Sequence, residues 1–238
     1  MLFLAVFCGF LAEYQLEHKI EKERVKKYMH DMVENLKYDT TRISINGSTN
    51  RDTHKDLDSF RLELKEVIEG RANTSRLYYY FFKIRDFGIA AFNKSAITQL
   101  KNSGSLRLVK NDSLLNEMLD YYERKVLACE YYQAEVQKAI ETMNANSIRV
   151  FSTTPFRLLL NNADSTWSNT LLNADYDSIA TVLNYQSLKL LTNDPKELEI
   201  LNTNVYRLEY LLLYYNRFLN FARHSADKLM VRIREIYY

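Results

Sequence analysis

The strongest constraint in this 238-residue chain is an apolar repeat near its C-terminus with no polar interruption. Leu198, Leu201, Val205, Leu208, Leu212, Tyr215, Leu219, Ala222, Ala226, Leu229, Ile233 and Ile236 follow one another at spacings of three and four. A helix turns every 3.6 residues, so this pattern draws one apolar line along a helix; a strand would need a period of two. The line is a coiled-coil-like seam, for burial against other helices or for interaction with a partner. Asp194 is suited to cap the helix, and Pro195 stands at its first position, where the missing N–H costs nothing. At about 1.5 Å per residue the predicted helix is roughly 64 Å long. Leu211, Tyr214, Phe218 and Phe221 add a second stripe, which predicts a helix surrounded in its middle.

Such a helix needs helical neighbours, and the composition supplies them. Only 5 Gly and 2 Pro occur, too few for the tight turns of a many-stranded sheet. The expected fold is all-α: an elongated antiparallel bundle with coiled-coil-like long helices. Lys and Arg total 32 against 30 Asp and Glu, a balance that excludes a strongly basic nucleic-acid binder. The cysteines, Cys8 and Cys129, are too few and too far apart for a disulfide framework or a cysteine zinc site.

The N-terminus reads MLFLAVFCGFLA from Met1 to Ala12, without a charge. A bilayer-crossing helix needs about 20 apolar residues, so this run is too short to span as written. A signal peptide would want a basic start and small residues before its cleavage site, but cutting after Ala12 leaves Phe10 at the third position back. A lipoprotein signal at Cys8 would want a small residue before it, where Phe7 stands. A buried helix end remains open. The favoured expectation is the second half of a transmembrane helix whose upstream part is missing from this chain. No Pro or Gly follows between Glu13 and Tyr38, and Val25, Met29, Met32 and Leu36 make a narrow stripe, so the helix is expected to continue. Residues 1–12 are thus an anchor segment and 13–238 one helical-bundle domain.

Farther on, Thr41 to Asp56 is polar and reads as a loop or helix break. A second helix starting near Asp52 or Thr53 carries Leu57, Phe60, Leu64 and Val67, and could continue past Gly70 through Tyr78, Tyr79, Tyr80, Phe81 and Phe82. Five consecutive aromatics cover every face of a helix, so they must be buried or lie in an interface. Asn93 or Ser95 is expected to cap a helix from Ala96 to Asn102, with Gly104 ending it in the left-handed conformation. Leu106 to Val109 reads as extended or irregular. Asn111 or Asp112 caps a long helix with the stripe Leu115, Met118, Tyr122, Cys129, Tyr132, Val136, Ala139 and Met143. Ser147 to Ser165 reads as loop, and a helix follows from Ala174 to Leu191.

Catalytic patterns are missing. Glu-x-x-His, HExxH, Walker A and GxGxxG do not occur, so no enzyme activity and no cofactor is expected. His54 and Asp58, four apart, come nearest to a metal pair; two ligands fall short of the three or four a site needs, so a solvated helix start is the plainer reading. Cys129 sits on an apolar stripe as a small core residue. Arg76, Lys83 and Arg85 flank the aromatic run as in single-strand binders, but near-zero net charge favours burial and no nucleic-acid partner. Asn46, Asn73, Asn93 and Asn111 stand in Asn-x-Ser/Thr triplets, which carry no information without a secretory route.

Two segments carry a family resemblance. GFLAEYQLEHKIEKERVKKYMHDMVENLKYDT (Gly9 to Thr40) resembles the membrane-exit helix of an uncharacterised family of Bacteroidota membrane proteins. FNKSAITQLKNSGSLRLVKNDSLLNEMLDYYE (Phe92 to Glu123) resembles that family's middle signature, a helix ended by Ser-Gly and followed by Leu-Arg-Leu-Val. The resemblance implies one N-terminal inner-membrane helix and a helical, periplasmic body. It implies no activity and no functional residues. The five Lys and Arg that follow the apolar run would by themselves favour the cytoplasm. The expected role is a membrane-anchored helical scaffold that meets a protein partner or a second copy. The alternative is a sensor-type bundle that holds a ligand near Tyr78–Phe82 and acts through a partner.

Overall fold

The computed structural model describes residues 2–71, 74–85, 87–161 and 188–238. Among them every regular element is helical and no strand occurs. The long helices are α1 (Leu2–Ile68) and α7 (Pro195–Tyr237). Between them lie α2 (Ser75–Lys83), α3 (Ser95–Asn102), a single 3-10 turn (Ser105–Leu108), α4 (Asp112–Asp120), a wide π turn (Tyr121–Val126), α5 (Leu127–Ser147) and α6 (Thr154–Asn161). The all-α class expected from the seam and the glycine scarcity is what forms.

The chain makes two compact units, each from segments distant in sequence. Unit 1 joins Met1–Ile45, Ala90–Glu130 and Phe218–Tyr238; unit 2 joins Asn46–Ile89 and Tyr131–Arg217. In unit 2, Asp58 and Arg61 of α1 stand near Glu209 of α7, while Leu64, Lys65 and Ile68 share a cavity with Glu199 and Asn202. The two helices therefore run antiparallel there. Unit 1 shows the same sense: Glu34 of α1 feels the charge of Arg234, and Lys26 lies under the ring of Tyr238.

Leu198, Leu201, Val205, Leu208, Leu212, Tyr215, Leu219, Ala222, Ala226, Leu229 and Ile233 are all buried. Removing one such side chain from water contributes about 1.5–3 kcal/mol, so this line is the largest apolar commitment of α7. Ile236 departs from the line, exposed in the last turn. The second stripe does not surround the helix. Leu211, Tyr214 and Phe218 are half-buried and Phe221 is exposed, because they sit at the flank of the seam rather than opposite a second layer.

The expected break at Thr41 to Asp56 does not occur, nor does a new helix start at Asp52 or Thr53; α1 runs through both. Two causes override the polar composition. Hydroxyls that would favour turns return to the helix, Thr41 Oγ1 donating to Lys37 O (2.9 Å), Ser44 Oγ to Thr40 O (2.9 Å) and Thr53 Oγ1 to Thr49 O (3.1 Å). Other polar side chains of the stretch, Asn46 and Asn50, are buried against backbone that follows α2. The helix does stop before Gly70, whose φ of 72° suits the left-handed end that glycine tolerates. The aromatic run therefore belongs to a separate short helix, α2.

Neither Asn93 nor Ser95 caps α3: the helix begins at Ser95 after Lys94, with no side-chain cap, and Asn93 Oδ1 accepts from Ser95 N (3.1 Å) in the turn just before it; Gly104, past the helix end, has φ 66° as expected. Leu106 to Val109, expected to be extended or irregular, lies largely in one 3-10 turn, with Val109 extended after it. Asn111 caps α4 through Leu114 N at 2.9 Å. At the π turn the buried stripe widens, so Tyr121 and Tyr122 are both buried. The loop expected from Ser147 to Ser165 contains α6, with Pro155 in its first turn where no N–H is needed. The helix expected from Ala174 to Leu191 lies outside the described residues except for its last four positions, which are not helical.

Candidate functional site

The aromatic run, expected to be buried or in an interface and, in the alternative reading, to wall a ligand site, is largely part of the packed core of unit 2. Phe81 stacks on Phe151 at 4.3 Å, and Tyr78 meets Phe151 edge-on at 4.9 Å. Phe60 and Phe156 approach Phe81 at 6.0 and 5.8 Å. Tyr78 uses its polar end as well: its hydroxyl donates to Lys189 O (3.0 Å) and accepts from Ser152 N (2.8 Å). Burial pushes its phenol above the usual range. The rings of Tyr78 and Phe81 fill space with other rings, while Tyr80 and Phe82 are half-buried at the flank.

Two buried polar fixtures were not foreseen. In unit 1, Asp39 is fully buried. Its Oδ1 accepts from Asn93 N and its Oδ2 from the Tyr121 hydroxyl, each at 2.7 Å. Burial pushes its carboxyl up to about 6, against the lowering pull of those two donors. Nearby, Asn35 Nδ2 donates to Ser95 Oγ at 3.1 Å. In unit 2, Asn50 Oδ1 accepts from Gly88 N at 2.7 Å and its Nδ2 donates back to Gly88 O at 3.4 Å. The backbone at Gly88 lies so close to α1 that a Cβ there would stand 2.6 Å from Asn46 O. These groups hold the extended stretch around residues 87–94 and have the character of structural clasps.

Cys129 is buried as expected. Its thiol is pushed up to about 12, chiefly by burial and further by the Glu130 charge, so it is a poor nucleophile.

One cluster offers coordinating chemistry. His54 and Asp58 share a face of α1, with His54 Nδ1 3.4 Å from Asp58 Oδ2. Across from them, α7 supplies Glu209, whose Oε1 is 3.9 Å from His54 Nε2. One nitrogen of the imidazole and one oxygen of each carboxylate all lie within 4.8 Å of one another. Arg61, one turn on from His54's neighbours, donates from Nη1 to the other oxygen of Glu209 at 2.7 Å and lies over the Tyr206 ring at 5.4 Å. The sequence shows the His54–Asp58 pair but not Glu209, which is 151 positions farther on and reaches them only through helix pairing.

The N-terminal end of α1 is the other notable feature. Val6, Phe7, Phe10 and Leu11 are exposed, Phe10 at 67%, and the first buried apolar residue among the described side chains is Val25. Among the described residues, no helix is long and apolar enough to cross a membrane. No family model, curated protein or solved structure matches the chain.

Proposed function

We propose that this protein is a helical scaffold attached to a membrane by the N-terminal end of α1, acting through protein contacts rather than catalysis. The observation that carries this reading is the exposed apolar run Val6, Phe7, Phe10 and Leu11 near the start of α1. Exposed apolar surface of this kind marks a membrane or partner site. The resemblance of residues 9–40 and 92–123 to a membrane-protein family favours the inner membrane, with the body in the periplasm. The test is flotation of the full chain with phospholipid vesicles. Wild type should float with them and the Phe7→Asp/Phe10→Asp variant should stay at the bottom. Wild type remaining free of vesicles would overturn the attachment.

A second reading, a bundle that holds a ligand and acts through a partner, has one observation in its favour. Unit 1 contains an open cavity of about 670 Å³ lined by Lys22, Arg107 and Lys110, against one acidic residue, Glu21, together with the apolar Val25 and Leu108. Acidic amphiphiles suit such a lining, and a rise in melting temperature with one of them is the expected sign.

A further inference from the structure

We propose that His54, Asp58 and Glu209 form a binding site for a divalent first-row transition ion, zinc being the best match. The donor set is one imidazole nitrogen and two carboxylate oxygens, all within 4.8 Å of one another. Zinc takes such ligands at about 2.0–2.2 Å, which places them roughly 3.3–3.5 Å apart around a tetrahedron. Closure of at most about 1.5 Å between any two of them therefore suffices. Asp58 is the group free to make it, because its side chain is 55% exposed. Water completes the shell on that open side.

Three features favour a cation here over a plain surface cluster. First, the ligands come from two helices, so the ion would join α1 to α7 within unit 2 and bind the folded chain alone. Second, one oxygen of each carboxylate stands within 4.8 Å of the other and of an imidazole nitrogen, and a cation among these three donors offsets the repulsion of the two negative charges. Third, Glu209 is already oriented. Its Oε2 is held by Arg61 at 2.7 Å, which leaves Oε1 turned towards His54. Hydrogen bonding to the outer oxygen of a ligating carboxylate is how metal sites fix their ligands. Arg61 also cancels one of the two negative charges, so the site suits an ion with affinity for imidazole rather than calcium or magnesium, which depend on several oxygens.

The experiment uses the full chain without a histidine tag. Zinc is titrated by calorimetry and cobalt by its visible absorption, and melting curves are recorded with zinc and with a chelator. One ion per chain is expected, with a melting temperature several degrees higher in zinc than in chelator, since a ligand of the folded state stabilises it. His54→Ala and Glu209→Gln should each weaken binding at least tenfold and abolish the shift. Asp58→Asn, at an exposed position, serves the same purpose should the other two variants not fold. His224→Ala, outside unit 2, should bind as wild type does. No cobalt band and no zinc shift in wild type, or equal binding by wild type and Asp58→Asn, would overturn the proposal.

Discussion

At the scale of single residues, Asp39 has the clearest consequence. Its carboxyl titrates near 3.8 when exposed and near 6 when folded. Below about pH 4 both states hold the proton. Between about 4 and 6 the folded chain keeps a proton that the unfolded chain releases, so this group's contribution to stability falls as pH rises through that window. Two pK units correspond to about 3 kcal/mol at most. Asp39→Asn should remove this slope: urea unfolding at about pH 4.5 and pH 7 should show the variant gaining on wild type at the higher pH. A constant difference between the two would show that Asp39 does not carry it. Gly88 is the second sensitive position. Its Cβ would meet Asn46 O at 2.6 Å and Asn46 Cα at 2.7 Å, both backbone atoms of α1. Gly88→Ala should cost about 2–3 kcal/mol by overpacking, read as a lower urea midpoint.

At the scale of elements, the continuity of α1 through its polar stretch invites a direct check. Gly47 lies inside the helix, and a Cβ there meets only the flexible Arg51 Nη1 at 3.7 Å. Gly47→Ala should therefore stabilise the protein by about 0.5–1 kcal/mol, as alanine does in helix interiors. A loop or left-handed break at this position would give the opposite sign. The seam of α7 makes the reverse case. Leu212 is fully buried, so Leu212→Ala should cost about 2–5 kcal/mol in chemical denaturation. The spacing of three and four exposed this element in the sequence because every inward position is apolar. The inward side of α1 was concealed because part of it is polar: Asp39, Asn46 and Asn50 are buried as surely as the leucines of α7. A periodicity argument sees hydrophobic residues, and it misreads a helix whose buried side serves backbone hydrogen-bonding groups.

At the scale of the whole molecule, the exposed start of α1 and the packed remainder should separate in experiment. Phe7 and Phe10 are exposed at 52% and 67%, so Phe7→Asp/Phe10→Asp should leave the melting temperature within about a degree of wild type while removing vesicle binding. A large loss of stability would place these side chains in a core instead. The two units each combine distant segments, and the proposed ion site depends on that: His54 and Asp58 meet Glu209 only because α1 and α7 pair.

The sequence by itself determined the helical class, the line of α7 from Leu198 to Ile233, the cap at Asn111, and the left-handed end at Gly104. Each depends on interactions within a few residues, where spacing and side-chain chemistry are sufficient. The tertiary structure alone decided that the polar stretch of α1 turns Asn46 and Asn50 inward against Gly88, that the Tyr78–Phe82 run packs with Phe60, Phe151 and Phe156, and that Glu209 joins His54 and Asp58. Those outcomes rest on partners dozens to more than a hundred positions away. A polar side chain has the same local propensity whether it meets water, a backbone amide or another ligand, and only the folded chain supplies which one it meets.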